Sequence, residues 1–171
     1  MLKIAGWFIV FVIIAFICGF VSSGPLGGYI QNNLTDRFSV VSGDQARNTV
    51  QNMFGISFPA SATDFYRANR GDNAWWVQFR IPPANLGGLF RNSGFMTCTY
   101  PLQDNYKPIF QYEHILSSTE RSQTSNWWTP DTARSFVGGE CTGRDYKMFR
   151  MFADTSNPNL WTFYMEIVRL Y

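Results

Sequence analysis

The chain of 171 residues has one histidine, His114, and three cysteines. A zinc site needs three or four well-placed nitrogen, sulfur or oxygen ligands. One histidine with scattered acids does not supply that set. Charged residues are also few, at 15% of the chain, and the net charge is +2. Without a basic stripe or a strong positive balance, nucleic acid is excluded as a partner. The chain has no Gly-x-Ser-x-Gly elbow, glycine-rich phosphate loop, Cys-x-x-Cys pair or His-Glu-x-x-His segment. The familiar signatures of serine hydrolases, nucleotide enzymes, dithiol oxidoreductases and zinc proteases are therefore missing. The nearest approach to acid–base machinery is Glu113 beside His114, and a lone histidine more often serves a surface or hydrogen-bonding role. These absences point away from an enzyme and from any bound cofactor.

What the chain does contain is an uninterrupted apolar run of 18 residues, Ile4–Val21, which follows Lys3 and stops at Ser22-Ser23-Gly24-Pro25. As a helix it would be about 27 Å long, close to the hydrocarbon thickness of a bilayer. Residues 1–23 read as a transmembrane anchor, with a cleaved export signal as the alternative. A lipoprotein signal ending at Cys18 fits poorly, because bulky Phe16 and Ile17 precede that cysteine. Lys3 and the amino terminus lie before the run, and the next basic residue is Arg37. The positive-inside rule then puts the N-terminus in the cytoplasm and the rest of the chain outside the bacterial inner membrane, in the periplasm. Small residues at Gly6, Ala15 and Gly19 mark a stripe that another helix can approach closely.

Residues 24–41, rich in glycine and polar side chains, read as a juxtamembrane linker, and residues 42–171 as one extracytoplasmic domain. Cys98 and Cys141 are the two cysteines of that domain, in a compartment that permits disulfides, and they are expected to pair. The closed loop of about 44 residues would contribute on the order of 4 kcal/mol in the chain-entropy model.

Ser42-Gly43-Asp44-Gln45 has the form of a capping box, followed by Ala46, Val50, Met53 and Phe54 at helical spacing and by Gly55 as a stop. Residues 61–66 begin a strand, and Arg70-Gly71-Asp72-Asn73 reads as a hairpin turn. The alternation of Trp75, Val77, Phe79 and Ile81 with Trp76, Gln78 and Arg80 is the clearest strand, the first set facing a core. Pro82-Pro83 opens a short helix with Leu86, Leu89 and Phe90 inward, and residues 95–100 read as a short strand. Residues 101–144, with their prolines and a Gly138-Gly139 pair, read as a long irregular loop. Two strands at 146–153 and 160–170 close the domain as a hairpin. The fold class is α+β: a transmembrane helix, then an antiparallel sheet with one or two helices on one face.

Aromatics make up 18% of the chain, either as a generous core or as an exposed binding patch. In an extended segment one member of Trp75-Trp76 and of Trp127-Trp128 must point away from the core. Trp76, Trp127 and Trp128 are therefore the candidate contact residues. Alternatively, the loop that carries Trp127 and Trp128 covers the outward face of the sheet.

The segments Phe58-Pro59-Ala60-Ser61-Ala62-Thr63, Trp76 through Ala84, Trp128-Thr129-Pro130 and Asp154 through Pro158 resemble a group of uncharacterised exported bacterial proteins, over roughly residues 43–168. Members of that group are often lipoproteins, and this chain lacks the lipid-accepting cysteine box. The resemblance implies an exported domain and lends no activity. Taken together, the sequence points to a single-pass accessory subunit that contacts the lipid bilayer and other membrane-protein subunits of a larger complex, respiratory, photosynthetic or secretory. The alternative is a periplasmic module that binds a sugar, lipid or peptide through exposed tryptophans.

Overall fold

A computed structural model of the chain describes residues 37–92, 102–143 and 146–170. The apolar run with Gly6, Ala15 and Gly19, the strand expected at 95–100, and Cys98 lie outside these residues. No helix among the described residues is long and apolar enough to cross a membrane.

The elements from Phe38 onward belong to one unit. In chain order they are β1 (Phe38–Ser42), α1 (Gly43–Phe54), β2 (Thr63–Arg70), β3 (Ala74–Ile81) and α2 (Pro83–Asn92). These are followed by β4 (Gln103–Asp104), α3 (Tyr112–Ile115), α4 (Ser118–Ser122), a 3-10 turn at Pro130–Thr132, β5 (Phe136–Thr142), β6 (Lys147–Asp154) and β7 (Trp161–Arg169). The seven strands form one sheet in the order β1-β2-β3-β7-β6-β5-β4. Every neighbouring pair is antiparallel. The α+β class and the antiparallel sheet are as expected.

Two parts of the sheet differ from the sequence reading. β1 falls within the expected linker, where Phe38-Ser39-Val40-Val41 pairs with Arg70 through Arg67. The glycines and proline that suggested a linker all lie before residue 29, whereas 38–41 has the β-branched and aromatic content of a strand. β5 runs through Gly138-Gly139. A side chain at Gly138 would collide with the backbone carbonyl of Tyr106 and press on that of Met151. That glycine marks a close crossing of the chain within the sheet rather than a break.

Helix α1 buries Ala46, Val50 and Phe54, four residues apart on one line, and leaves Met53 46% exposed beside that line. The expected capping box does not form. Ser42 is held extended by its pairing with Tyr66, Gly43 turns at φ +63°, and the Ser42 hydroxyl makes no cap hydrogen bond. Gly55 ends the helix in the left-handed region at φ 64°, its N–H donating to the Gln51 carbonyl at 2.9 Å. Helices α1 and α2 both pack on one face of the sheet. Leu86, Leu89 and Phe90 join Trp75, Val77, Phe79, Ile81, Phe163 and Met165 in a single apolar cluster. Its centre is aromatic: Phe79 lies 5.0 Å from Phe58, 5.4 Å from Phe65 and 5.0 Å from Phe163, ring centre to ring centre. Burying each such ring contributes about 1.5–3 kcal/mol.

The opposite face is covered too. The segment from Tyr106 to Ser135, which holds α3, α4 and the 3-10 turn, lays Tyr112, Leu116, Trp127 and Trp128 over Trp76, Phe152 and Tyr164. Tyr112 stacks on Trp128 at 5.6 Å and meets Trp76 edge-on at 5.7 Å. The sheet thus has helices on one side and a folded loop on the other. Ser117 and Glu120 form a reciprocal capping box that starts α4. Burial raises the Glu120 pKa, but its hydrogen bonds with Ser117 and the nearby Arg70 charge outweigh that and hold it below the ordinary value.

Candidate functional site

The sequence-derived contact residues are interior. Trp76 is 0% exposed, and Trp127 and Trp128 are each 6% exposed. They do not form an outward aromatic patch, because each fills the space between sheet and loop. The covering-loop alternative describes their positions. Cys141 stands in a disulfide, and its expected partner Cys98 lies outside the described residues. His114 is exposed and lines neither of the two clefts described below. Among the described residues no group of three or more His, Cys, Asp or Glu side chains is placed to hold a metal ion.

The loop is fastened to the sheet at Glu166, which is 0% exposed. One carboxylate oxygen accepts from the Trp76 indole N–H at 2.9 Å. The other accepts from the Gln111 backbone N–H and from Arg150 Nη1, each at 2.9 Å. Arg150 also lies 3.4 Å from Glu140. A buried carboxylate is tolerated only when paired and hydrogen-bonded in this way. Gln111 belongs to the loop, so this bond ties the covering layer to the central strands.

Beside this fastening the loop and the sheet separate into a cleft of about 480 Å³. Sheet register builds its floor. Tyr66, Gln78 and Tyr164 sit side by side on β2, β3 and β7. On the next rung Arg80 pairs with Thr162, and Thr162 with Asp154. All six line the cleft, because residues paired across strands share a face. Asp64 joins them through a bulge in β2. Two residues, Asp64 and Phe65, oppose the one residue between Arg80 and Gln78. Asp64 takes φ +53°, Phe65 keeps its place in the apolar core, and the Asp64 carboxylate reaches Arg80 at 3.3 Å. A non-glycine residue in the left-handed region costs energy, and such strain concentrates at functional sites.

The loop supplies the remaining wall from Asn126, Trp127, Thr129 and Thr132. Trp127 stacks on Tyr66 at 5.5 Å with the rings 13° apart. Thr129 and Tyr164 join through their hydroxyls at 3.2 Å. Burial pushes the Tyr164 phenol above its ordinary value, with the Thr129 hydrogen bond pulling the other way. Tyr164 therefore keeps its proton as a hydrogen-bonding hydroxyl at neutral pH.

Two polar atoms in this cleft stand out. Gln78 Oε1 and Trp127 Nε1 are both buried and both lack a hydrogen-bond partner. The residues are 6% exposed each. A buried polar atom without a partner costs about 1–3 kcal/mol. The two residues that carry them, one an acceptor and one a donor, line the same concave space. Sequence reasoning placed Gln78 on the polar side of its strand but gave it no role, because its neighbours Tyr66 and Tyr164 lie far away in the chain.

A second cleft, of about 390 Å³, lies between Lys107–Phe110 and the Tyr112, Trp128 and Pro130 surfaces. Its walls are largely aromatic and proline, with Ile109 79% exposed at its rim. It has no unpartnered buried polar atom of its own.

Comparison with protein-family models, curated proteins and solved structures finds no match to this chain.

Proposed function

We propose that the domain is a binding module for a small polar ligand, held in the cleft between the sheet and the Trp127 loop. The observation that carries this reading is that Gln78 and Trp127, each with a buried, unpartnered polar atom, line one concave site. A ligand that bonds to both satisfies a donor and an acceptor together. The bulge and the left-handed Asp64 support the same site, since they aim a carboxylate and its Arg80 partner into it. In this reading the apolar run Ile4–Val21 anchors the module to the inner membrane with its domain outside, and no reaction is catalysed. The resemblance to exported bacterial proteins agrees with that placement.

The test is ligand-observed NMR on the full-length chain against a mixed set of sugars, amino acids, dipeptides and sugar phosphates. At least one compound should bind, and Thr132→Trp, placed at an exposed wall of the cleft, should abolish binding while leaving the thermal midpoint in place. Absence of binding by every compound means the cleft is not a ligand site.

The accessory-subunit reading is supported by the run itself and the small residues Gly6, Ala15 and Gly19 within it. Here the helix packs into a larger membrane complex and the domain covers its outer surface. Native membranes solubilised in mild detergent decide it: a protein that migrates only as a monomer is no subunit.

A further inference from the structure

We infer that the ligand of the Gln78–Trp127 cleft is a neutral polyhydroxyl compound, a sugar in chemical class, anchored by one of its hydroxyl groups. This rests on the binding reading above and narrows it.

The two unpartnered groups differ in kind. Gln78 Oε1 accepts a hydrogen bond, and the Trp127 indole N–H only donates. A carboxylate or phosphate serves the indole but, with the amide oriented as it is, gives Gln78 Oε1 no donor. An ammonium group does the reverse. A hydroxyl donates and accepts through one atom, and a sugar carries several on a rigid ring.

The rest of the lining agrees. Tyr66, Tyr164, Thr129, Thr132 and Thr162 bring five hydroxyl-bearing side chains to the same lining. Each keeps a lone pair that can accept from a polyol, even though Thr132 donates to the Thr129 carbonyl and Thr129 bonds Tyr164. The ionisable groups of opposite sign there are Asp64, Asp154 and Arg80. Arg80 is engaged by Asp64 at 3.3 Å, and Asp154 carries a further negative charge. The lining is thus slightly negative, which disfavours an anion. The Asp154 carboxylate already accepts from the Ser156 backbone N–H at 2.9 Å. It is therefore fixed in place as a neighbour for ligand hydroxyls.

The experiment uses the full-length chain, labelled with nitrogen-15, in a detergent without a sugar headgroup. The indole N–H signal of Trp127 is followed while probes are added. The probes are glucose, galactose and maltose; glucose 6-phosphate and glucuronate; glycylglycine; and 2,3,4,6-tetra-O-methylglucose. The inference expects at least one neutral sugar to shift the Trp127 signal. The methylated sugar keeps only its anomeric hydroxyl as a donor, and its methyl glycoside, tested beside it, keeps none. This fully methylated glycoside should bind at least about tenfold more weakly than glucose. Gln78→Met should weaken sugar binding by a similar factor, and the methylated probe gives the same test without any variant. A shift produced by glycylglycine or by the charged sugars, but by no neutral sugar, overturns this inference and keeps the binding reading. Equal affinity for glucose and the fully methylated glycoside overturns it too. No shift with any probe overturns both.

Discussion

The two faces of the sheet are closed by different means. On the helix side, α1 and α2 deliver aliphatic and aromatic side chains that interlock with Trp75, Val77, Phe79 and Ile81. The exception is Arg67, which is 7% exposed and lies over the Trp75 ring at 5.0 Å, and whose pKa burial lowers. On the loop side, short helices and turns bring rings that carry polar edges, and directional bonds at Glu166 hold them in place. Apolar packing tolerates small shifts and fills space evenly. Polar fastening fixes a few points and leaves room between them. The 480 Å³ cleft lies on the second face, so the same bonding that closes this face also leaves the space where a ligand can sit.

Four perturbations test that contrast. Phe79→Ala removes a 0% exposed ring from the centre of the helix face and should cost about 3–5 kcal/mol of global stability. Urea unfolding would show it as a shifted midpoint with all probes moving together. Glu166→Gln removes the charge and sets an amide donor against either the Trp76 indole or the donors of Gln111 and Arg150. The expected loss is about 3 kcal/mol, with a local signature. Hydrogen exchange at the Gln111 amide should accelerate more than exchange in α1. If both regions accelerate equally, the loop is not a separately fastened layer.

Gly55→Ala forces a side chain into the left-handed end of α1 at φ 64° and should cost about 1–2 kcal/mol, read by thermal unfolding. Because Gly55 lies on the helix side, affinity in the cleft should not change. The smallest effect concerns pH. Burial raises the Tyr164 pKa above 10.0 in the folded chain. A group raised in the folded state stabilises it fully below the unfolded value and loses that contribution as pH climbs through the folded value. Stability should therefore fall above about pH 10, and Tyr164→Phe should remove Tyr164's share of that fall. An unchanged alkaline slope in the variant assigns the fall to other groups.

The local parts of this fold were legible. Alternation in Trp75–Ile81 correctly assigned each residue to a face, and Leu86, Leu89 and Phe90 are buried as their spacing requires. Gly55 acts as the helix stop its position suggested. The errors have physical causes. Gly138-Gly139 reads as a break until the Tyr106 backbone is seen crossing over it. Ser117-Ser118-Thr119-Glu120 looks like polar loop composition, yet its first and last members form a complete cap. Trp76 was correctly placed on the outward side of its strand, but that side is covered by a segment some fifty residues away, from which Trp127 and Trp128 both turn inward onto the sheet. The cleft was illegible for the same reason. Its floor exists only because β2, β3 and β7 meet in register, and that pairing is nowhere written in a local pattern.

The strand order has a consequence in time. β7, the last strand to be synthesised, occupies the middle position of the seven, with β3 on one side and β6 on the other. Until residues 161–169 leave the ribosome, the β1-β2-β3 group and the β4-β5-β6 group have no shared hydrogen bonds across that seam. Glu166, the anchor of the loop, arrives with the same strand. Closure must wait for contacts far apart in sequence, which makes folding slow. The two strand groups are therefore joined into one sheet, and the covering loop is bound to Glu166, only after β7 has been made.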